Sequence, residues 1–289
     1  MHIVILDGGS TNPGDVSWAP LRALGSVTVY DSTKPEEIVE RAKDAEAVIL
    51  NRNVISREIM QKLPKLRFIG LLATGYNTVD VKAAGELGIT VCNVPLYCVE
   101  TVAQQAFALL LELCNHTEKI SAATRGGDWD KARTMSHSTH PLFELYGKTL
   151  GIVGFGHIGQ TVAKLDALFK NADVVSLHCP LTDETRGLVN AERLNLMKPT
   201  AFLINTARGA VVDEAALAEA LNSGRIAGAG LDVLVHEPPK KDDPLLAAQN
   251  CIVTPHIAWA SRDARARLIK TVAENLKAFR NGTPQNVVS

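Results

Sequence analysis

The chain has 289 residues, 46% of them hydrophobic and 21% charged, with a formal net charge of -1. That length accommodates two domains with separate cores. A near-neutral balance argues against nucleic acid or an anionic membrane as the main partner.

The first segment, MHIVILDGGS, reads as a β-strand and lacks the basic region and the length of a signal peptide. No apolar run reaches the roughly 18 residues of a membrane span. The five Cys are scattered without a C-x-x-C pair, so neither a disulfide framework nor a zinc site is expected. Reduced thiols suit a cytoplasmic location. Further strands are predicted at SVTVYD, AEAVILN, LRFIGLLA and ITVCNV, and helices at PEEIVERAKD, SREIMQKLP and VDVKAAGELG. Apolar strands between amphipathic helices imply a parallel sheet covered on both faces. A long helical pattern follows, CVETVAQQAFALLLELCNHTEKISAATRGGDW, interrupted only at Gly126 and Gly127. After the polar stretch KARTMSHSTHPLFELYG a second series of strands begins: TLGIVGFG, DVVSLHCP, AFLINTARG, AGAGLDVL and CIVTPHIAW. One amphipathic helix, ASRDARARLIKTVAENLKAFRNG, comes last. The expected fold class is α/β, with two doubly wound, Rossmann-like parallel sheets.

Four stretches of the second series carry chemistry. Gly154, Gly156 and Gly159 form G-x-G-x-x-G after an apolar strand and before a helix, where backbone amides can receive a pyrophosphate. Glycines also serve plain tight turns, and the strand-turn-helix context is what favours a dinucleotide. Arg208 follows the strand AFLIN, at the carboxyl end where open α/β sheets bind ligands, and a guanidinium there can grip a carboxylate with two parallel hydrogen bonds. LDVLVHEPP presents Asp232, His236 and Glu237, and CIVTPHIAW runs into Pro255 and His256. A His beside a carboxylate is favoured in its protonated form, ready to deliver a proton. A lone loop Arg or strand-end His is usually structural, but three strand ends supplying Arg208, Glu237 and His256 to one sheet edge point to a site. His137 and His140 are three apart, yet Pro141 opposes a regular helix and no metal site is expected. Cys92, Cys98 and Cys114 read as core, and the apolar stripe of 99–114 as core or subunit interface.

These stretches together resemble the D-2-hydroxyacid dehydrogenase family, as do LLATGYNTVD and VCNVPLYCVETVAQ. NPGDVSWAPLRALGSVTVYD and HPLFELYGKTLG are similar to its glycerate dehydrogenase (hydroxypyruvate reductase) branch. The resemblance implies an NAD- or NADP-dependent oxidoreductase acting on a small 2-oxo acid, hydroxypyruvate or glyoxylate, and its D-2-hydroxy acid. By it, Arg208 binds the substrate carboxylate, assisted by backbone amides near Thr74 and Gly75. His256 exchanges the proton at the carbonyl oxygen and Glu237 supports it. Gly154, Gly156, His157, Ile158 and Gly159 hold the pyrophosphate. Thr101, Thr206 and Ala207 line the nicotinamide side, Asp232 binds its carboxamide, and His178 and Pro180 flank the adenosine. The resemblance also implies a substrate domain of residues 1–98 joined by the C-terminal helix 265–289, a dinucleotide-binding domain of 99–264, a cleft between them, and a homodimer through the long helix and loop after Val99.

One element of the pattern is missing. A dinucleotide turn is followed, about 20 residues on, by a strand ending in the Asp or Glu that holds the adenosine ribose. Here GQTVAK joins LDALFKNADVV directly near Lys164 and Leu165, and a stretch on the order of 25 residues is absent relative to the motif spacing. Asp183 and Glu184 are acidic but follow the wrong strand. A true deletion would leave LGIVGF as an apolar sheet edge and remove the ribose contact. Intact mass separates a true deletion, at 31.1 kDa, from a sequence that omits the segment. Two readings besides the enzyme remain: a non-catalytic nucleotide-sensing scaffold of the same fold, and a variant impaired in cofactor binding.

Overall fold

The computed structural model of the chain describes residues 1–132, 140–154 and 162–289. The strands are β1 (His2–Ile5), β2 (Ser26–Val29), β3 (Ala47–Leu50), β4 (Phe68–Leu71), β5 (Thr90–Cys92), β6 (Leu150–Val153), β7 (Val174–Leu177), β8 (Phe202–Asn205), β9 (Gly228–Leu231) and β10 (Cys251–Val253). The helices are α1 (Ala19–Arg22), α2 (Ile38–Ala42), α3 (Arg57–Gln61), α4 (Val81–Glu86), α5 (Val99–Asn115), α6 (Thr117–Arg125), α7 (Asp128–Ala132), α8 (Val162–Asn171), α9 (Ala191–Leu196), α10 (Glu214–Asn222) and α11 (Arg262–Arg280).

Two compact units result, Met1–Thr101 with Trp259–Ser289, and Val102–Ala258. The first is built on a parallel sheet of order β2-β1-β3-β4-β5. Its strand order doubles back at β1, so right-handed crossovers place helices on both faces. Alternation along each strand divides the core accordingly. Val4, Val48 and Leu50 pack with Ile38, Met60 and Ala83 on one side. Ile3, Ile49 and Phe68 pack with Leu268, Val272 and Leu276 of α11 on the other.

The second unit holds a parallel sheet of order β10-β9-β8-β7-β6. Its strands follow chain order without a reversal, so successive right-handed crossovers carry their helices to one face. There Phe169, Leu194 and Leu217 cover Val175, Leu203 and Leu231. The opposite face is covered by α5, through Leu109, Leu110 and Leu113 on Val174, Phe202 and Ile204. At the end of the sheet, among the described residues, β6 pairs only with β7. Leu150 and Ile152 share the face of Val174 and Ser176, yet stay 43% and 37% exposed. Among the described residues β6 is thus an edge strand with apolar side chains partly exposed.

The long helix departs from expectation in one place. Besides the break at Gly126 and Gly127, it is interrupted at His116, whose φ of 48° lies in the left-handed region. The Cys114 carbonyl accepts the Phe143 amide at 3.0 Å instead of continuing the helical ladder. Among the described residues no helix is long and apolar enough to cross a membrane, and no group of three His, Cys, Asp or Glu could hold a metal ion. His140 lies with its ring 5.2 Å from that of His116, while His137 falls outside the described residues.

Candidate active site

Three strand ends of the second unit build the site, each fixed by its own polar contacts. Past β8, buried Asn205 folds the loop back on itself: its Oδ1 accepts the Ala207 amide and its Nδ2 donates to the Arg208 carbonyl, both at 3.0 Å. Arg208 is exposed, with Nη1 on the Ala207 carbonyl at 2.8 Å. The next residue must be small. A Cβ on Gly209 would stand 2.0 Å from the Leu234 carbonyl carbon, so glycine brings the Arg208 loop into backbone contact with the loop after β9. That second loop carries Glu237, whose Oε1 accepts the Leu234 amide at 3.1 Å. Its Oε2 lies 2.6 Å from His256 Nδ1.

His256 sits after β10 at φ 54°, a left-handed conformation that costs a non-glycine residue about 1–2 kcal/mol. Asp232 opposes that cost. Its carbonyl accepts the His256 amide at 2.8 Å. Its Oδ1 accepts the Thr254 hydroxyl at 2.5 Å and the Ile257 amide at 3.0 Å, and its Oδ2 the Ala258 amide at 2.8 Å. Asp232 is 1% exposed. Both carboxylate oxygens are engaged by the 254–258 turn, Oδ1 by two donors and Oδ2 by one. With Nδ1 on Glu237, Nε2 is the imidazole nitrogen left to exchange a proton with a ligand.

The dinucleotide turn is described only at its start. Gly154 has φ 103°, and a Cβ there would lie 2.6 Å from the Cys179 amide nitrogen, so β6 ends tightly against β7. His178 and Pro180 are exposed at the same end, with His178 Nε2 2.8 Å from Ser176 Oγ. Gly156, His157, Ile158 and Gly159 lie outside the described residues. In the first unit, Thr74 and Gly75 follow β4, and Thr74 Oγ1 donates to the Val94 carbonyl at 2.9 Å. Thr101 Oγ1 lies 2.9 Å from Ser261 Oγ at the start of α11. The structure thus joins Glu237, His256 and the Arg208 loop in one unit and places Thr74, Gly75 and Thr101 in the other.

Comparison with known proteins follows the same lines. The family model described as D-isomer specific 2-hydroxyacid dehydrogenase, NAD binding domain, matches residues 107–165 and 161–258. A hydroxypyruvate reductase of Blautia hydrogenotrophica is 43% identical over 100% of both chains. The chain belongs to the D-isomer specific 2-hydroxyacid dehydrogenase family. A glycerate dehydrogenase of Methylorubrum extorquens is 40% identical over 90% of both chains. Among solved structures, the NADPH-dependent glyoxylate/hydroxypyruvate reductase of Sinorhizobium meliloti, in complex with NADP and malonate, superposes with a TM-score of 0.80 at 28% identity, covering 100% of this chain and 96% of that one. Membership makes this chain an NAD(P)-dependent oxidoreductase, and nothing in these relatives favours the scaffold reading.

The comparisons also locate the missing piece. The family match breaks into two parts that meet at 161–165, and the alignment to the Blautia enzyme spans 321 positions against 289 residues here, so at least 32 positions are gaps in this chain. The nicotinamide side of an NAD(P) site fits the residues present: among the described residues Thr206 Oγ1 is buried beside the Arg208 loop without a hydrogen-bond partner, a polar atom that a ligand could satisfy. The adenosine side does not fit. Among the described residues nothing flanks β6 on its outer side, and Asp183 and Glu184 lie beyond β7. Two residues hydrogen-bonded into the Asp232 turn were not singled out from sequence, Thr254 and Gln105. Thr254 had a weak signal in its place directly after a strand; Gln105 had none.

Proposed function

We propose that this protein reduces a small 2-oxo acid, hydroxypyruvate or glyoxylate, to the D-2-hydroxy acid at the expense of NADH or NADPH, and catalyses the reverse. The observation that carries this reading is the His256–Glu237 pair at 2.6 Å beside the loop of an exposed Arg208. NAD(P)H supplies the hydride for the substrate C2. Arg208 grips the substrate carboxylate through two parallel hydrogen bonds and so orients the carbonyl. His256 gives its Nε2 proton to the carbonyl oxygen as C2 accepts the hydride, and Glu237 holds the charged imidazole that serves each turnover. In the oxidative direction His256 takes that proton back. Thr74 and Gly75 belong to the substrate domain, and Gly154 to Gly159, Thr206 and Ala207 to the cofactor domain.

Exposed apolar side chains on and after α5 (Phe107, Leu111, Trp129, Leu142 and Tyr146) support a homodimer through this region. Scattered thiols and a neutral balance support a cytoplasmic location. The test is spectrophotometric: absorbance at 340 nm should fall when NADH or NADPH is mixed with enzyme and hydroxypyruvate or glyoxylate. No oxidation with any small 2-oxo acid would sink the assignment.

A further inference from the structure

The proton-exchanging pair is backed by a run of hydrogen bonds that begins at two side chains with no role assigned above, Gln105 and Thr254. Gln105, on α5, donates from Nε2 to Thr254 Oγ1 at 3.2 Å. Thr254 Oγ1 in turn donates to Asp232 Oδ1 at 2.5 Å, and Asp232 receives the amides of His256, Ile257 and Ala258. The direction of this chain is forced. An amide NH2 can only donate and a carboxylate can only accept, so the hydroxyl between them must take from Gln105 and give to Asp232. Each bond polarises the next.

We propose that Thr254, oriented by Gln105, is a positioning residue: it locks the Asp232 carboxylate that holds the left-handed turn presenting His256. This rests on the reading of His256 as the proton-exchanging group. Glu237 fixes one ring nitrogen but leaves the main chain free to relax from φ 54°. The main-chain amides at 256–258 hold that turn: the Ile257 and Ala258 amides end on the Asp232 carboxylate, and the His256 amide is shared between the Asp232 and Thr254 carbonyls. Asp232 can hold the Ile257 and Ala258 amides only if its carboxylate cannot turn about its own side-chain bonds, and the Thr254 hydroxyl is the side-chain donor that restrains it. Thr254 is placed for this by its amide, which donates to the Leu231 carbonyl at 2.8 Å, one residue before Asp232.

The experiment compares Thr254→Val, which keeps the shape and loses the donor, with Thr254→Ser, which keeps the donor. Thr254→Val should lower kcat by about 10²-fold, the cost of a displaced catalytic group, while substrate KM and the NADH dissociation constant stay within about twofold. Thr254→Ser should return kcat to within about threefold of the parent. A second readout needs no turnover: the His256 imidazole signal in a histidine-labelled carbon-proton NMR spectrum should move in Thr254→Val and not in Thr254→Ser. Gln105→Leu, made on the helix rather than in the turn, should shift the same signal in the same direction, and carries the test if Thr254→Val does not fold. A Thr254→Val enzyme with the parent's kcat and an unmoved His256 signal would overturn the proposal, as would Thr254→Ser behaving like Thr254→Val. If the parent oxidises no NADH or NADPH with any 2-oxo acid, the functional reading fails by itself, and the NMR arm still reports whether Thr254 sets the turn.

Discussion

His256, the proposed proton-exchanging group, is held by two restraints at the scale of single residues. Its ring is fixed by one charged hydrogen bond to Glu237, and its main chain by three amides gathered on Asp232. The two restraints make different predictions. Removing the imidazole in His256→Ala takes away the proton donor, and kcat should fall by about 10²–10⁴-fold with NADH binding retained. Glu237→Gln keeps a hydrogen-bonding partner but not its charge, so the loss in kcat should be smaller than for His256→Ala. Steady-state kinetics beside NADH fluorescence titration separates these cases; equal losses in both would show that Glu237 does more than hold the ring. Arg208→Lys replaces a planar fork by a point charge, and should raise the substrate KM by roughly tenfold or more with little change in cofactor affinity. An unchanged KM would remove Arg208 from the carboxylate.

At the scale of elements, β6 is the weak member of its sheet. It is tied to β7 at its start by Asp173, whose carboxylate accepts the Thr149 amide at 2.9 Å and the Lys198 ammonium at 2.9 Å. The Thr149 amide first, and Lys198 after it, hold the Asp173 carboxyl below the usual carboxylate range. A lowered pKa means that the tie is fully present above the ordinary carboxylate value, about 4, and is lost as pH falls through the lowered native value. The urea midpoint of the parent should therefore exceed that of Asp173→Asn at neutral pH, and the two should converge in acid; a gap that persists at pH 2 would contradict the tie. The unpaired side of β6 predicts a second effect. Ile152→Lys places a charge on an exposed edge and should lower concentration-dependent light scattering without changing the fold seen by circular dichroism. How far these elements were legible varies with their physics. Strand positions follow from apolar runs that must be buried, so all ten could be read. The break at His116 could not, because a left-handed residue is expected to be Gly or Asn and here it is His, beside a Cys114 carbonyl taken by the Phe143 amide from far along the chain. Arg208, Glu237 and His256 were legible because strand ends of one parallel sheet share an edge. The inward turn of Asp232 was not, since its partners lie 22 to 26 residues away and only folding brings them there.

For the whole molecule, the consequence of the shortened second unit is best argued through the coenzyme. Selection between NAD and NADP depends on the group at the end of the strand next to the glycine turn: an acid binds the ribose hydroxyls and repels a 2′-phosphate, whereas an Arg accommodates it. Among the described residues of this chain there is no such strand, and β6 ends the sheet. Neither the attraction nor the repulsion can operate, so the 2′-phosphate should go unread. NADH and NADPH should bind with dissociation constants within about tenfold of each other, equivalent to less than about 1.4 kcal/mol of discrimination. Both should bind weakly, because the acid that normally holds the ribose is missing from the sequence. The measurement is a pair of fluorescence titrations on protein whose intact mass is 31.1 kDa. Competition by AMP supplies the control: with no ribose acid, AMP should displace either coenzyme poorly. A preference beyond about 100-fold for one coenzyme, or tight displacement by AMP, would mean that some other group of this chain reads the adenosine half, and the fit of that half would have to be rebuilt around it.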